Sequence, residues 1–263
     1  MENSVNEKNI ERFSGYADLY NAVRPIPPPI ITKAVLLYLK NNPDVVVDLG
    51  SGTGLSALIW KDIAKTVIGI EPNDDMLSEA EKTITAVNIS FQKGLSNDTA
   101  LSSESADVVA VSQAFHWFPI DSTLEEVYRI LKHDGILAIF DCDWLPAVDW
   151  RVEEAFDKIR IKADKICESE EKHAIRNDKS SYVNRINTFG KFRFAKEVVC
   201  HNVEKCNHEK IIGIALSQGG IQDALKLDKA FQNDVDEFCD LVKSNLNSEF
   251  EIIFSYRLRL AIK

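Results

Sequence analysis

Long apolar runs are missing from this sequence. None approaches the roughly 20 residues that cross a bilayer as a helix, so a membrane protein is not expected. Basic residues are in deficit: 31 Lys and Arg stand against 41 Asp and Glu, a net charge of −10. A nucleic-acid binder needs a cationic face to neutralise phosphates, so DNA and RNA are not expected partners. Cysteine is scarce and scattered, at Cys142, Cys167, Cys200, Cys206 and Cys239. An odd, dispersed set argues against a disulfide framework and fits reduced thiols in a cytoplasmic protein. Residues 1–13 are polar and lack a signal-peptide core. No repeat, low-complexity segment or Gly/Ser/Pro linker divides the 263 residues, enough for one large domain, monomeric or homodimeric.

What is present is alternation. Residues 6–20 place Ile10, Phe13, Tyr16 and Tyr20 near helical spacing. Pro25 and Pro27 to Pro29 interrupt, and Pro29 opens a helix to Leu39. Val45–Val47, Val67–Ile70, Ile89–Gln92, Val108–Val111 and Ile136–Phe140 read as strands, the continuous apolar ones buried on both faces. Helices are expected between them: Leu55–Ala64, a helix capped by Asn73 that carries Met76, Leu77 and Ala80, and one capped by Asp121 that runs through Leu131. Five strand–helix alternations predict a doubly wound parallel sheet. Beyond Trp144, residues 150–175 and 207–246 read as helical, Ala195–Val203 as a strand, and Phe250–Ile262 as a closing strand with strict period-two alternation.

The chemistry concentrates in Asp48-Leu49-Gly50-Ser51-Gly52-Thr53-Gly54, a strand running through a glycine turn into a helix. Such a turn lets backbone approach a ligand closely. Dinucleotides want G-x-G-x-x-G, but Leu55 stands where the third glycine belongs. Asp48 at the strand end repels a pyrophosphate and suits a cationic ligand. Glu71, ending the next strand, can accept from both hydroxyls of an adenosine ribose, which a nicotinamide cofactor and S-adenosylmethionine (SAM) share.

This segment resembles motif I of the class I SAM-dependent methyltransferases. Gln113-Ala114-Phe115-His116-Trp117-Phe118 resembles the type 11 methyltransferase subgroup, which includes trans-aconitate methyltransferase-like proteins. Arg12 to Tyr16, with Tyr20 and Arg24-Pro25, is similar to its N-terminal lid, and Tyr256 to Leu260 to its last strand. The resemblance implies a mostly parallel, seven-stranded, Rossmann-like sheet with helical insertions after the fifth strand. It implies one methyltransferase domain over 1–263: a lid at 1–29, a SAM-binding core at 30–145, a helical cap at 146–246 and a closing strand at 247–263. SAM would meet Asp48, Gly50 and Gly52 around its methionine part and Glu71 at the ribose, with Ser51, Gly54 and Gln113 as further cofactor-binding residues. Pro72, Met76, Leu95 and Ser96 would lie near the adenine; Asn97 stands where the subgroup often has a carboxylate.

Methyl transfer from a sulfonium is an in-line displacement. The protein's task is to position donor and acceptor and exclude water. His116 is a candidate base, or else a structural histidine beside Trp117 and Phe118; Asp141 and Asp143 lie near the same edge. Tyr16, Tyr20, Arg24, Trp117 and Trp144 are candidates for a lid or substrate pocket, and Ser217 to Gly220 either line a pocket or end a helix. A zinc reading of Cys200, His201, Cys206 and His208 lacks a familiar spacing, and no metal is expected. The reading is transfer of methyl to a small-molecule carboxylate or hydroxyl. The alternatives are a SAM-binding non-catalytic regulator and an NAD(P)-dependent oxidoreductase.

Overall fold

The computed structural model describes residues 9–10, 21–168 and 176–263, so the expected helix at 6–20, with Tyr16 and Tyr20, falls mostly outside the described residues. Seven strands lie among them in one sheet: β1 (Val45–Leu49), β2 (Thr66–Glu71), β3 (Ile89–Lys93), β4 (Ala106–Ser112), β5 (Leu131–Cys142), β6 (Phe194–Asn207) and β7 (Glu249–Ile262). Their order is β3-β2-β1-β4-β5-β7-β6. Strands β1 to β5 are parallel, and β7 enters antiparallel to both β5 and β6. The sheet is Rossmann-like and mostly parallel, as expected.

Alternate residues of the central strands enter two different cores. Val46, Val108, Ala110, Ala138 and Phe140 belong to one cluster; Val47, Leu49, Val109, Val111, Leu137 and Ile139 belong to the other. A strand apolar at every position is therefore buried on both faces. The first cluster continues through α1 (Pro29–Leu39) into the later helices α4 (Trp150–Glu168), α6 (His208–Leu216), α7 (Gly219–Leu227) and α8 (Phe231–Asn245). The second lies under α3 (Ile120–Ile130) and α5 (Tyr182–Phe189). Helix α2 (Asp74–Thr83) packs beside β2 and β3, its N-terminus capped by Asn73, whose side chain accepts from Met76 N–H.

Three expectations change. Leu55–Ala64 does not wind as an α-helix; it is a run of turns around a short 3-10 segment, Ala57–Trp60. Ser56 is tied to Asp48 and Trp60 is fully buried, so tertiary anchors set the tighter winding. Asp121 is not the cap of α3. Pro119 holds that position without a side-chain bond, and Asp121 sits in the first turn, where its charge complements the helix dipole. Helix α5, which no strong periodicity announced, is nucleated by Asp178: its carboxylate accepts from Ser180 N–H and opens the turn before Tyr182.

Candidate functional site

The site forms at the carboxyl ends of β1, β2 and β4, where the strand order reverses and open α/β sheets leave a crevice. The turn after β1 is built from left-handed backbone, Gly50 at φ +65° and Gly52 at φ +54°. Glu71, at the end of β2, accepts Gly52 N–H on one carboxylate oxygen and Asn73 N–H on the other, both at 2.9 Å. One carboxylate thus pins both the glycine turn and the start of α2. Each of its oxygens keeps lone-pair capacity for a further donor.

Two chambers flank the turn. The first is walled by Glu71, Pro72 and Met76 on one side, by Leu95 and Ser96 below, and by the loop after β4 with Ala114, Trp117 and Phe118. Asn9 and Ile10 close over it: Asn9 Nδ2 donates to Trp117 O at 2.9 Å, and Asn73 Nδ2 donates to Ile10 O at 2.9 Å. The second chamber lies across the turn, against Arg24, Pro25, Phe140, Cys142, Trp144 and Tyr256. Gly50, Gly52, Ser112 and Gln113 border both, so the chambers meet there.

Gln113 holds that seam in a left-handed conformation, φ +53°, uncommon for a residue with a side chain. Its N–H donates to Phe140 O at 3.1 Å, its Nε2 to Cys142 O at 3.2 Å, and its Oε1 accepts from Lys179 Nζ at 3.0 Å. Arg24 is set by Ser217, with Nε donating to Oγ and Nη2 to the carbonyl, both at 2.9 Å. Its guanidinium lies 4.5 Å from the centroid of Trp144. Ser217 ends α6 and Gly219 starts α7, so the Ser217–Gly220 stretch is a helix junction that orients Arg24.

Two carboxylates dominate the electrostatics. Burial pushes Asp48 up to about 7 against the pull of its bond from Ser56, and nearby Glu71 raises it further. Burial likewise raises Glu71 to about 7, opposed by the N–H groups of Asn73 and Gly52. Asp48 lies beneath the turn and lines neither chamber. Ser56 Oγ donates to its Oδ2 at 2.6 Å, while its buried Oδ1 and the buried hydroxyls of Ser51 and Thr53 have no hydrogen-bond partner among the described residues. A buried polar atom without a partner costs free energy, and three of them cluster at one turn. The donor set fits a nucleoside with cationic groups and no phosphate, as SAM is.

Most expected contacts gather here. Gly50, Gly52, Glu71, Pro72, Met76, Leu95, Ser96, Gln113 and Trp117 border the first chamber; Ser51, Arg24 and Trp144 border the second. Gly54 lines neither, because it packs against Phe91 and Ile84. His116 is also not brought to either chamber: it is buried beside Trp117, with Nδ1 3.9 Å from Asp141. Asp141 is fixed by Arg259 at 2.9 Å and Lys179 at 2.8 Å, and Asp143 faces Arg257. Asn97 turns away to Ser122 on α3. Cys200, His201, Cys206 and His208 do not converge: His201 meets Ser255 and His208 meets the Leu246 carbonyl. Sequence reasoning missed Phe140, Cys142 and Tyr256 as lining residues. Only their place at the strand ends signalled them.

Residues 47–139 match the methyltransferase domain family. A Saccharomyces cerevisiae protein named "Probable S-adenosylmethionine-dependent methyltransferase CRG1" is 32% identical over 126 residues, 46% of this chain and 43% of that protein. An uncharacterized methyltransferase of Schizosaccharomyces pombe is 34% identical over 122 residues, 46% of this chain and 48% of its own length. The matched stretch thus spans under half of each relative. The crystal structure of the YcgJ protein of Bacillus subtilis superposes with a TM-score of 0.54 at 16% identity, covering 88% of this chain and 98% of that one.

Proposed function

We propose that this chain, whose residues 47–139 match the methyltransferase domain family, transfers a methyl group from SAM to a small molecule held in the second chamber. The observation that carries the reading is the seam: the two chambers meet at Gly50, Gly52, Ser112 and Gln113. A nucleoside in the first chamber would have its far end facing whatever fills the second. SAM, when bound, supplies an electrophilic methyl on a good leaving group. The chain's residues do the rest: Glu71 receives the ribose hydroxyls, Pro72, Met76 and Leu95 enclose the adenine, and Gly50 and Gly52, which border both chambers, receive the methionine end. Asp48 lies beneath that turn, and a cationic end placed there would favour its ionised form.

Arg24, aimed by Ser217 and stacked on Trp144, supplies the second chamber with positive charge beside an aromatic wall. That pairing favours an acceptor with a carboxylate and a flat or apolar body. A carboxylate attacks without a dedicated base, which agrees with His116 lying outside both chambers. A hydroxyl acceptor is the second choice. The test has two arms. Calorimetry should show S-adenosylhomocysteine binding and NADH failing to bind. Labelled methyl from SAM should pass to members of a panel of small carboxylates and to none of their amides. Binding of NADH in place of the adenosyl ligand would overturn the reading.

A further inference from the structure

The loop after β4 walls the cofactor chamber, yet a different part of the chain holds much of it. That part is the stretch Arg176–Tyr182, which leads into α5. Asn177 makes three bonds to the loop: its N–H donates to His116 O at 2.8 Å, and its Nδ2 to His116 O at 3.2 Å and Phe118 O at 2.9 Å. Arg176 lies over the Trp117 ring at 5.0 Å. Tyr182 meets Phe115 edge-on, with centroids 4.9 Å apart. Lys179 Nζ bridges Gln113 Oε1 at 3.0 Å and Asp141 at 2.8 Å. Asp141 is held in turn by Arg259, which also bonds Glu197, so the chain of charges runs from β6 through β7 and β5 to the seam.

Neither Asn177 nor Lys179 borders a chamber. An ion pair with one fully buried partner adds little net stability over an apolar replacement. What the Asp141–Lys179 pair does give is a fixed direction for the ammonium, toward Gln113. Gln113 needs that hold, because a left-handed residue with a side chain persists only where its surroundings over-determine it.

We propose that Asn177 and Lys179 are positioning residues of the cofactor site, setting the Gln113–Phe118 loop without touching the cofactor. This rests on the reading that the first chamber takes SAM. The experiment measures S-adenosylhomocysteine affinity by calorimetry, well below the melting temperature, for the wild type, Asn177→Ala, Lys179→Met and Lys179→Arg. Asn177→Ala and Lys179→Met should each weaken binding about tenfold, with Lys179→Arg recovering part of the loss. Lys179→Met combined with Gln113→Leu should lose less than the two single losses together, since both cut one contact. In the wild type the ligand should slow hydrogen exchange across residues 114–119, and in Asn177→Ala that slowing should shrink. Wild-type affinity in both Asn177→Ala and Lys179→Met would overturn the proposal. A wild type that ignores the ligand would instead sink the functional reading. Should Asn177→Ala fail to fold, the half-exposed Lys179 pair of variants decides the matter.

Discussion

Gly52 N–H donates to Glu71 Oε2 at 2.9 Å, joining the turn after β1 to the end of β2. Glu71 therefore shapes the site as well as offering itself to a ribose. Glu71→Ala should weaken S-adenosylhomocysteine binding by about 1–3 kcal/mol, the range for losing bonds to a charged group. Glu71→Gln, which keeps one acceptor oxygen, should fall between it and the wild type. Calorimetry on folded variants checks the ranking; equal affinities across the three would contradict the assignment.

The buried carboxylates make the ligand-free protein sensitive to pH. Asp48 and Glu71 sit near 7 in the folded chain, against ordinary values of 3.8 and 4.5. The folded state therefore keeps protons that the unfolded chain has released. Their contribution to stability is complete below about pH 4 and is lost as pH rises through 7. Asp48→Asn removes part of that loss. It should raise the ligand-free melting temperature at pH 8 by about 3 °C or more, and leave it little changed at pH 4. The same substitution should weaken SAM binding, because the negative charge under the turn is gone. Melting curves at the two pH values test the first claim. A variant no more stable than wild type at pH 8 would show that burial is not straining this carboxylate.

Ligand binding should also release protons. A cationic group near Asp48 and ribose hydroxyls donating to Glu71 favour the ionised forms, so SAM affinity should rise between pH 6 and 8. Calorimetry in two buffers of different ionisation enthalpy reads the released protons directly. Identical apparent enthalpies at pH 6.5 would contradict the coupling.

The fold was legible because its signals were local and repeated. Val45–Val47 and Val108–Val111 are apolar at every position, which only a strand buried on both faces requires, and each lies in a strand covered by two cores. Asn73 announced its helix by its own side chain. The helix expected at Leu55–Ala64 was misread because what sets that segment is distant: Ser56 bonds Asp48 and Trp60 fills the core. Motif I and Glu71 were legible from local residue types, and the structure joins them through the bond from Gly52 N–H to Glu71. Cys142 and Tyr256 were not legible, because they reach the second chamber through antiparallel pairing of β5 with β7, residues far apart in sequence. Lys179 was hidden because its partners, Gln113 and Asp141, are also far away in sequence.

Two glycines of one turn should respond to substitution in opposite ways. Among the described residues, a Cβ on Gly52 meets nothing within 4 Å, whereas one on Gly50 falls 2.7 Å from Ala114 Cβ and 2.9 Å from Phe118 Cζ. Both carry positive φ, so each loses on the order of 1 kcal/mol to backbone strain. Gly50→Val adds a clash with the loop wall and should lower the melting temperature clearly more than Gly52→Val. Gly52→Val should stay folded and lose S-adenosylhomocysteine binding. Circular dichroism melts paired with calorimetry separate the two, and retained binding in Gly52→Val would count against the placement of the ligand.

Arg24 should govern the acceptor and leave the cofactor alone. Its guanidinium uses one edge on Ser217 and one face on Trp144, a geometry that an ammonium cannot reproduce. Arg24→Lys is therefore not conservative here, and should behave nearly as badly as Arg24→Met. Once the carboxylate panel has given a turned-over acceptor, both variants should raise its KM by about tenfold or more, in line with about 1.5–3 kcal/mol for a hydrogen bond to a charged group. The dissociation constant of S-adenosylhomocysteine should stay within about twofold, since Arg24 borders only the second chamber. Steady-state kinetics with each substrate varied in turn separates these effects. If both variants lose cofactor affinity while the acceptor KM holds, Arg24 belongs to the cofactor site, and the acceptor's charge is read by some other group.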